Sequence, residues 1–271
     1  MSASLRGASR ESLARLSERV HEDAPDDPAA RGSELFAVVD LLDNQPGLRR
    51  ALTDPGRVDD DRAGLAGSVF SGQVSEATAD VVVLAARQRW ARARDMGDAL
   101  EYLSAVLQLI DAERRDQIDR VEDELFSFAE AIGGNAALGS ALGDTSAPID
   151  SRVGLVENLL PDVDPVTRTL ARRAVAAPRG GTVADLLEEF SRIAADVRQR
   201  LVATVTSAVQ LADAERDRLR RALAAQYGRD VHLNVIVNPD VIGGVSVTIG
   251  DDIIDGTIRS RLSDVARRLA G

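Results

Sequence analysis

The side chains in this sequence whose types and spacing could do chemistry are its acidic clusters, its two histidines and its C-terminal glycines. Asp59-Asp60-Asp61 could open a calcium loop, but alternating oxygen ligands and a closing bidentate glutamate do not follow. A solvated segment before a helix explains these aspartates better, because the positive end of a helix dipole favours them. Asp251 and Asp252 with Asp255 could hold magnesium or act as an acid–base pair, yet hairpin and helix-start positions account for them more simply. His21 and His232 are too far apart in sequence to suggest a metal pair. His21 falls at a helix end and His232 in a strand, where a half-buried packing role fits. Gly243, Gly244, Gly250 and Gly256 do not spell a phosphate loop, and the sequence has no lysine to reach a phosphate. They read as positive-φ positions at turns or bulges, and Arg179-Gly180-Gly181 as a single turn. No serine stands in a recognisable triad context. Without cysteine there are no disulfides, iron–sulfur ligands, thiolate zinc sites or cysteine nucleophiles. The sequence therefore predicts no catalytic, cofactor-binding or metal-binding residue, and no cofactor.

Composition narrows the partners. With 271 residues, 44% of them hydrophobic, the chain can bury a core without a metal or a disulfide. The formal net charge is −11 and every cation is arginine, a poor match to nucleic acid or an anionic membrane surface. Aromatics make up 3%, too few to stack bases. The start, MSASLRGASRES, carries no readable secretory signal. The longest uninterrupted apolar run is about Val81–Ala86, far short of the roughly 18–20 residues that span a bilayer. Direct membrane insertion is not expected, any membrane association must come through a partner, and the compartment reads as intracellular.

An internal repeat organises the first two hundred residues. Glu34-Leu35-Phe36 recurs as Glu124-Leu125-Phe126, and in that register Leu48, Ala51, Leu52 and Asp54 fall on Leu138, Ala141, Leu142 and Asp144. Asp60, Arg62, Gly64 and Leu65 likewise fall on Asp150, Arg152, Gly154 and Leu155. The register then slips slightly: Thr78 matches Thr167, and Asp98-Ala99-Leu100-Glu101 resembles Asp185-Leu186-Leu187-Glu188. Such slips belong to loops, where the backbone tolerates insertion. Both copies have helical periodicity, with Leu35, Val38, Val39 and Leu42 on one stripe and Leu125, Phe128, Ala129 and Ile132 on the other. Ser75 and Asp164 are predicted helix caps, the second followed by Pro165 at N1. Residues 22–33, with Pro25 and Pro28, read as a loop, and Trp90 as a bundle residue. The expected organisation is one helical bundle over 1–112, a second over 113–200 and a small β/α domain over 201–271.

The last part changes character. Leu201, Ala203, Val205, Ser207 and Val209 alternate as a strand face, Asp213–Tyr227 is a predicted helix, and Gly228 a predicted stop. Val231, Leu233, Val235 and Val237 alternate again, followed by Val245, Val247 and Ile249, and by a short strand at Ile253-Ile254. Ile258, Leu262, Val265, Ala266 and Leu269 share one face of a final helix. The fold class is α+β, mostly α, with the duplicated helical bundles followed by a β-α-β-β-β-α domain. From Val202 onward nine acids balance nine arginines, so the whole negative charge lies in the helical part.

The run LNVIVNPDVIGGVSVTIGDDIIDGTIRSRLSDVARRL, Leu233 to Leu269, resembles the signature of the F-type ATP synthase delta subunit, called OSCP in mitochondria. The matching positions are Leu233, Val235, Val241, Gly244, Val247, Gly250, Ile254, Asp255, Gly256, Arg259, Arg261 and Leu262. Thr257 stands where the signature usually has serine, and keeps the hydroxyl that caps the last helix. The order of bundle then β/α domain is similar too, although the family's usual chain has one bundle. The long, lysine-poor form resembles the actinobacterial version. The resemblance implies a non-catalytic subunit of the peripheral stalk of the F1Fo ATP synthase. Its helical domain would grip the N-terminal segments of the alpha subunits, and its C-terminal domain would join the stalk b subunit. It would thereby hold the alpha/beta ring against rotor torque during proton-driven ATP synthesis, at the cytoplasmic side of the cell membrane through the complex. Chain order favours Ile110–Leu201 as the bundle that does the usual task. Two other readings are a cytosolic helical adaptor or regulator with the same fold, and an enzyme using aspartates around Asp251 and Asp255.

Overall fold

Caps and prolines decide where the helices of the first unit begin. Asp27 accepts a hydrogen bond from the Ala30 N–H at 2.9 Å, and Pro28 takes N1, where its missing N–H costs nothing. Helix α2 (Pro28–Asn44) thus starts inside the stretch expected to be loop as far as Ser33. Pro46 opens α3 (Pro46–Thr53) directly behind it. Asp59, Asp60 and Asp61 are the first turn of α4 (Asp59–Phe70), inside the helix and not in a loop before it. Ser75 caps α5 (Glu76–Arg87), Asn135 caps α8 (Ala136–Gly143), and Asp164 caps α10 (Pro165–Ala176). The other helices are α1 (Ala8–Glu22), α6 (Ala93–Arg114), α7 (Ile118–Gly133), α9 (Ile149–Leu159) and α11 (Val183–Gln199).

The structure is a computed structural model that describes residues 5–22, 26–179, 181–199, 201–227, 231–238, 244–249 and 252–255. It divides into two compact units, Met1–Arg198 and Gln199–Gly271. In the first, one continuous apolar core runs from Leu5 to Val197 and takes in both predicted helical stripes. Helix α6 lies at its centre, with every residue from Asp95 to Leu109 buried. A helix buried all round is normally apolar all round, yet α6 carries Asp95, Asp98 and Glu101. Trp90 is buried and its Nε1–H donates to the Ala85 carbonyl at 2.9 Å.

The second unit holds a four-stranded sheet in the order β2-β1-β3-β4. Strand β1 (Leu201–Ser207) leads through α12 (Asp213–Tyr227) to β2 (Val231–Val237), which it pairs in parallel. A parallel pair needs such a crossover. Strands β3 (Val245–Ile249) and β4 (Asp252–Asp255) follow antiparallel, with Val205 opposite Val247 and Val247 opposite Ile254. Val205, Leu223, Val231, Leu233 and Val247 form the small core. Val209 does not extend the buried face of β1: it lies past the strand end and is 69% exposed. The final helix predicted over 258–269 and the stop at Gly228 lie outside the described residues.

Candidate functional site: a buried arginine joint

The buried acids of α6 decide what the helical unit can do. Asp98 and Glu101 are three residues apart on α6, as Asp40 and Asp43 are on α2, so each pair shares one helix face. Arg173 of α10 reaches between them. Its Nε–H donates to Glu101 Oε1 at 2.7 Å, Nη2 donates to Glu101 Oε2, Nη1 donates to Asp40 Oδ1, and its guanidinium lies 4.8 Å above the centre of the Phe36 ring. Glu101 is fully buried and Arg173 nearly so. Burial lowers the arginine's pKa, but its bonds with Glu101 and Asp40 outweigh this and hold it above the ordinary value. Arg179, in the left-handed region at φ +51°, adds ion pairs to Asp43 (2.7 Å), Asp98 (3.2 Å) and Glu101 (3.3 Å).

A cavity of about 490 Å³ opens beside this cluster, lined among others by Asp40, Asp43, Arg49, Arg94, Asp98 and Arg179. Its charges are balanced, and the acids are held by arginines at contact distance. Arginines thus occupy these carboxylates, and among the described residues no group of three or more His, Asp or Glu could hold a metal ion. The cluster is a fastener. It joins α2 and α6 of the first sequence copy to α10 of the second, and it works only because each buried charge has a partner. Sequence reading did not single out Arg173 or Asp40, and it took Arg179 only as the first residue of a turn. The available signal was the acid pair interrupting the apolar pattern of α6.

The two copies also repeat polar contacts. Glu34 accepts from the Ser75 N–H (3.2 Å), the Ser75 hydroxyl (2.5 Å) and the Thr78 hydroxyl (2.5 Å). Glu124 accepts from the Asp164 N–H (3.0 Å) and the Thr167 hydroxyl (2.6 Å) at the corresponding helix start. Burial raises the Glu34 pKa, but the Ser75 and Thr78 hydrogen bonds prevail and the net shift is downward. Burial likewise raises Asp164, while Arg115 and the Val166 N–H bring it below the ordinary value. Buried Arg62 donates to the Ala86 carbonyl at 2.7 Å, and buried Arg152 to the Val175 carbonyl at 2.9 Å, in the slipped register of the repeat.

In the second unit, Leu233 and Val247 are core residues and Val235 is half-buried against them. Gly244, at φ +83°, precedes β3, where only glycine adopts that backbone without strain. Ile254 and Asp255 occupy β4, opposite Val247 and Ser246. The backbone thus brings five of the predicted signature residues, Leu233, Val235, Val247, Ile254 and Asp255, into one sheet. Val241, Gly250, Gly256, Thr257, Arg259, Arg261 and Leu262 lie outside the described residues, as does Asp251.

Residues 99–269 match the family model described as the ATP synthase delta (OSCP) subunit. The chain belongs to that family. The ATP synthase subunit delta of Acidothermus cellulolyticus is 45% identical over 273 residues, covering 98% of this chain and all of that one. The same-named protein of Streptomyces coelicolor is 43% identical over 270 residues, covering 98% of both chains. That of Kineococcus radiotolerans is 45% identical over 246 residues, covering 90% of this chain and 89% of its own. As a delta (OSCP) subunit, the chain is a non-catalytic peripheral-stalk component of the ATP synthase, a membrane complex. Among its described residues no helix is long and apolar enough to cross a membrane.

Proposed function

We propose that this delta subunit caps the catalytic head, its helical unit gripping alpha-subunit N-terminal segments and its β/α unit holding the stalk b subunit. It does so at the cytoplasmic side of the cell membrane. One observation carries the division of labour: the family match starts inside α6, at residue 99, and runs on through the sheet. That boundary supports α6–α11 as the bundle that does the family's usual task, with α1–α5 as an added module. We further infer that the two bundles overlap, with α6 closing the first and opening the second. Support comes from its burial on every side, and from α1 packing against α5 as α6 packs against α10. The repeated Glu34 and Glu124 caps agree with a duplicated origin. Short amphipathic helices build grooves that accept another amphipathic helix, and an edge strand such as β2, with Ile236 and Val237 about half exposed, offers a place for a stalk helix. In this reading the signature residues shape the β/α unit, and the chain resists torque through several modest contacts acting together.

Co-elution of the full chain with the cognate catalytic head, intact or with its alpha N-termini trimmed, tests the reading. Binding that is lost on trimming is the expected result. Equal binding to both heads would remove the alpha grip, and no binding to either, with the chain folded, would favour an adaptor.

A further inference from the structure

The buried joint has a second, open version on the same unit. In the register of the repeat, Phe36, Asp40 and Glu101 correspond to Phe126, Glu130 and Glu188. The first three receive Arg173, with Phe36 7% exposed beneath it. The second three have the same chemistry, one aromatic face and two carboxylates, but all are exposed, Phe126 at 55%. Neither Glu130 nor Glu188 is paired with a described residue. The helices that carry them, α7 and α11, are tied by Arg198, which pairs with both Asp119 and Glu122 at 3.0 Å. Late α11 therefore meets early α7, just as Gln108 of late α6 meets Ala29 and Ser33 of early α2. Together α7 and α11 carry nine acids against three arginines, so the two helices as a whole attract cations, and Glu130 and Glu188 add exposed carboxylates beside Phe126.

We propose that Phe126, Glu130 and Glu188 form an arginine-receiving site for a helix of another subunit, docked across α7 and α11 as α10 is docked across α2 and α6. The proposal rests on the stalk-subunit reading. The occupant is an arginine-bearing amphipathic helix. Its guanidinium stacks on the Phe126 ring while the two carboxylates take its N–H groups, an arrangement lysine's ammonium cannot reproduce in planar form. Exposed aromatic faces of this kind with charges at the rim are where docking energy concentrates. An acidic rim would also speed encounter with a basic helix at low salt.

The test replaces Phe126 by the photoreactive benzoyl-phenylalanine in the full chain, assembled into the ATP synthase and irradiated. The expected adduct is to an arginine-bearing helical segment of a neighbouring subunit. An adduct only to the chain itself, or none, overturns the site. In parallel, Glu130→Lys with Glu188→Lys is expected to weaken retention in the complex roughly tenfold or more, and to flatten its dependence on salt. These variants leave the buried joint intact, so an unchanged urea midpoint shows that folding is preserved. Retention equal to wild type would likewise sink the proposal. If the wild-type chain itself fails to enter the complex, the stalk-subunit reading fails, and this site falls with it.

Discussion

Replacing Arg173 by methionine isolates the joint that fastens the two helical copies. The substitution removes a guanidinium whose side chain is 6% exposed and leaves Glu101, whose side chain is fully buried, with one remaining cation. That cation is Arg179, at 3.3 Å. Breaking a buried ion pair by deleting one partner costs about 3–5 kcal/mol, because the survivor stays desolvated and uncompensated. The residual pair with Arg179 places this case near about 3 kcal/mol. Glu101→Leu should cost less, about 2 kcal/mol, since Arg173 keeps Asp40 and Arg179 keeps Asp43 and Asp98. The double variant removes the isolated charge altogether and restores apolar contact. It should cost about 1–2 kcal/mol, less than Arg173→Met alone. Urea unfolding followed by far-ultraviolet circular dichroism reads this, and with a slope of roughly 2 kcal/mol per molar the single Arg173 variant moves the midpoint by about 1.5 M. A double variant whose cost equals the sum of the singles would refute the idea that these charges act as a pair. So would a cost for Arg173→Met below about 1 kcal/mol.

Arg62 and Arg152 form a matched internal control. Arg62 donates to the carbonyls of Ala86, Asp54, Arg57, Arg87 and Gln88, whereas Arg152 reaches those of Leu142 and Val175. Arg62→Met should therefore cost about 3–4 kcal/mol and Arg152→Met about 1–2 kcal/mol by the same unfolding assay, and a reversed order would contradict the hydrogen-bond count. Gly32→Ala puts a Cβ 2.9 Å from the backbone oxygen of Ser104. Because backbone must move, a loss of about 1–3 kcal/mol is expected, and a neutral result would mean α2 and α6 pack less tightly than they do here. Glu34 has a lowered folded pKa, so its contribution is fully present above the ordinary value of 4.5 and is lost as pH falls through the folded value. The stability difference between wild type and Glu34→Gln should accordingly shrink below that pH, and a difference that grows in acid would reverse the assigned sign.

Local pattern made much of the fold legible in the sequence. The stripes Leu35-Val38-Val39-Leu42 and Leu125-Phe128-Ala129-Ile132 are buried, Ser75 and Asp164 do cap helices, and Asp213–Tyr227 is a helix between strands. These features depend on neighbours within a turn or two, where periodicity and capping chemistry act. The second half of the 22–33 stretch is helix and not loop, because Pro28 takes N1 behind the Asp27 cap and opens α2, whereas by itself it reads as a breaker. The signature stretch made the family legible, since glycine, aspartate and valine stand there at fixed offsets.

The sequence determined the helices, the strands, the family and the absence of catalytic spacing, because each is written in residues close along the chain. Only the tertiary structure decided that Arg173 meets Glu101, 72 positions away, and Asp40, 133 positions away, and that Phe36 is covered while Phe126 is bare. Composition cannot distinguish a solvated arginine from a buried one. The difference lies in whether a carboxylate from another helix arrives to compensate its desolvation, and that is settled by how α2, α6 and α10 pack.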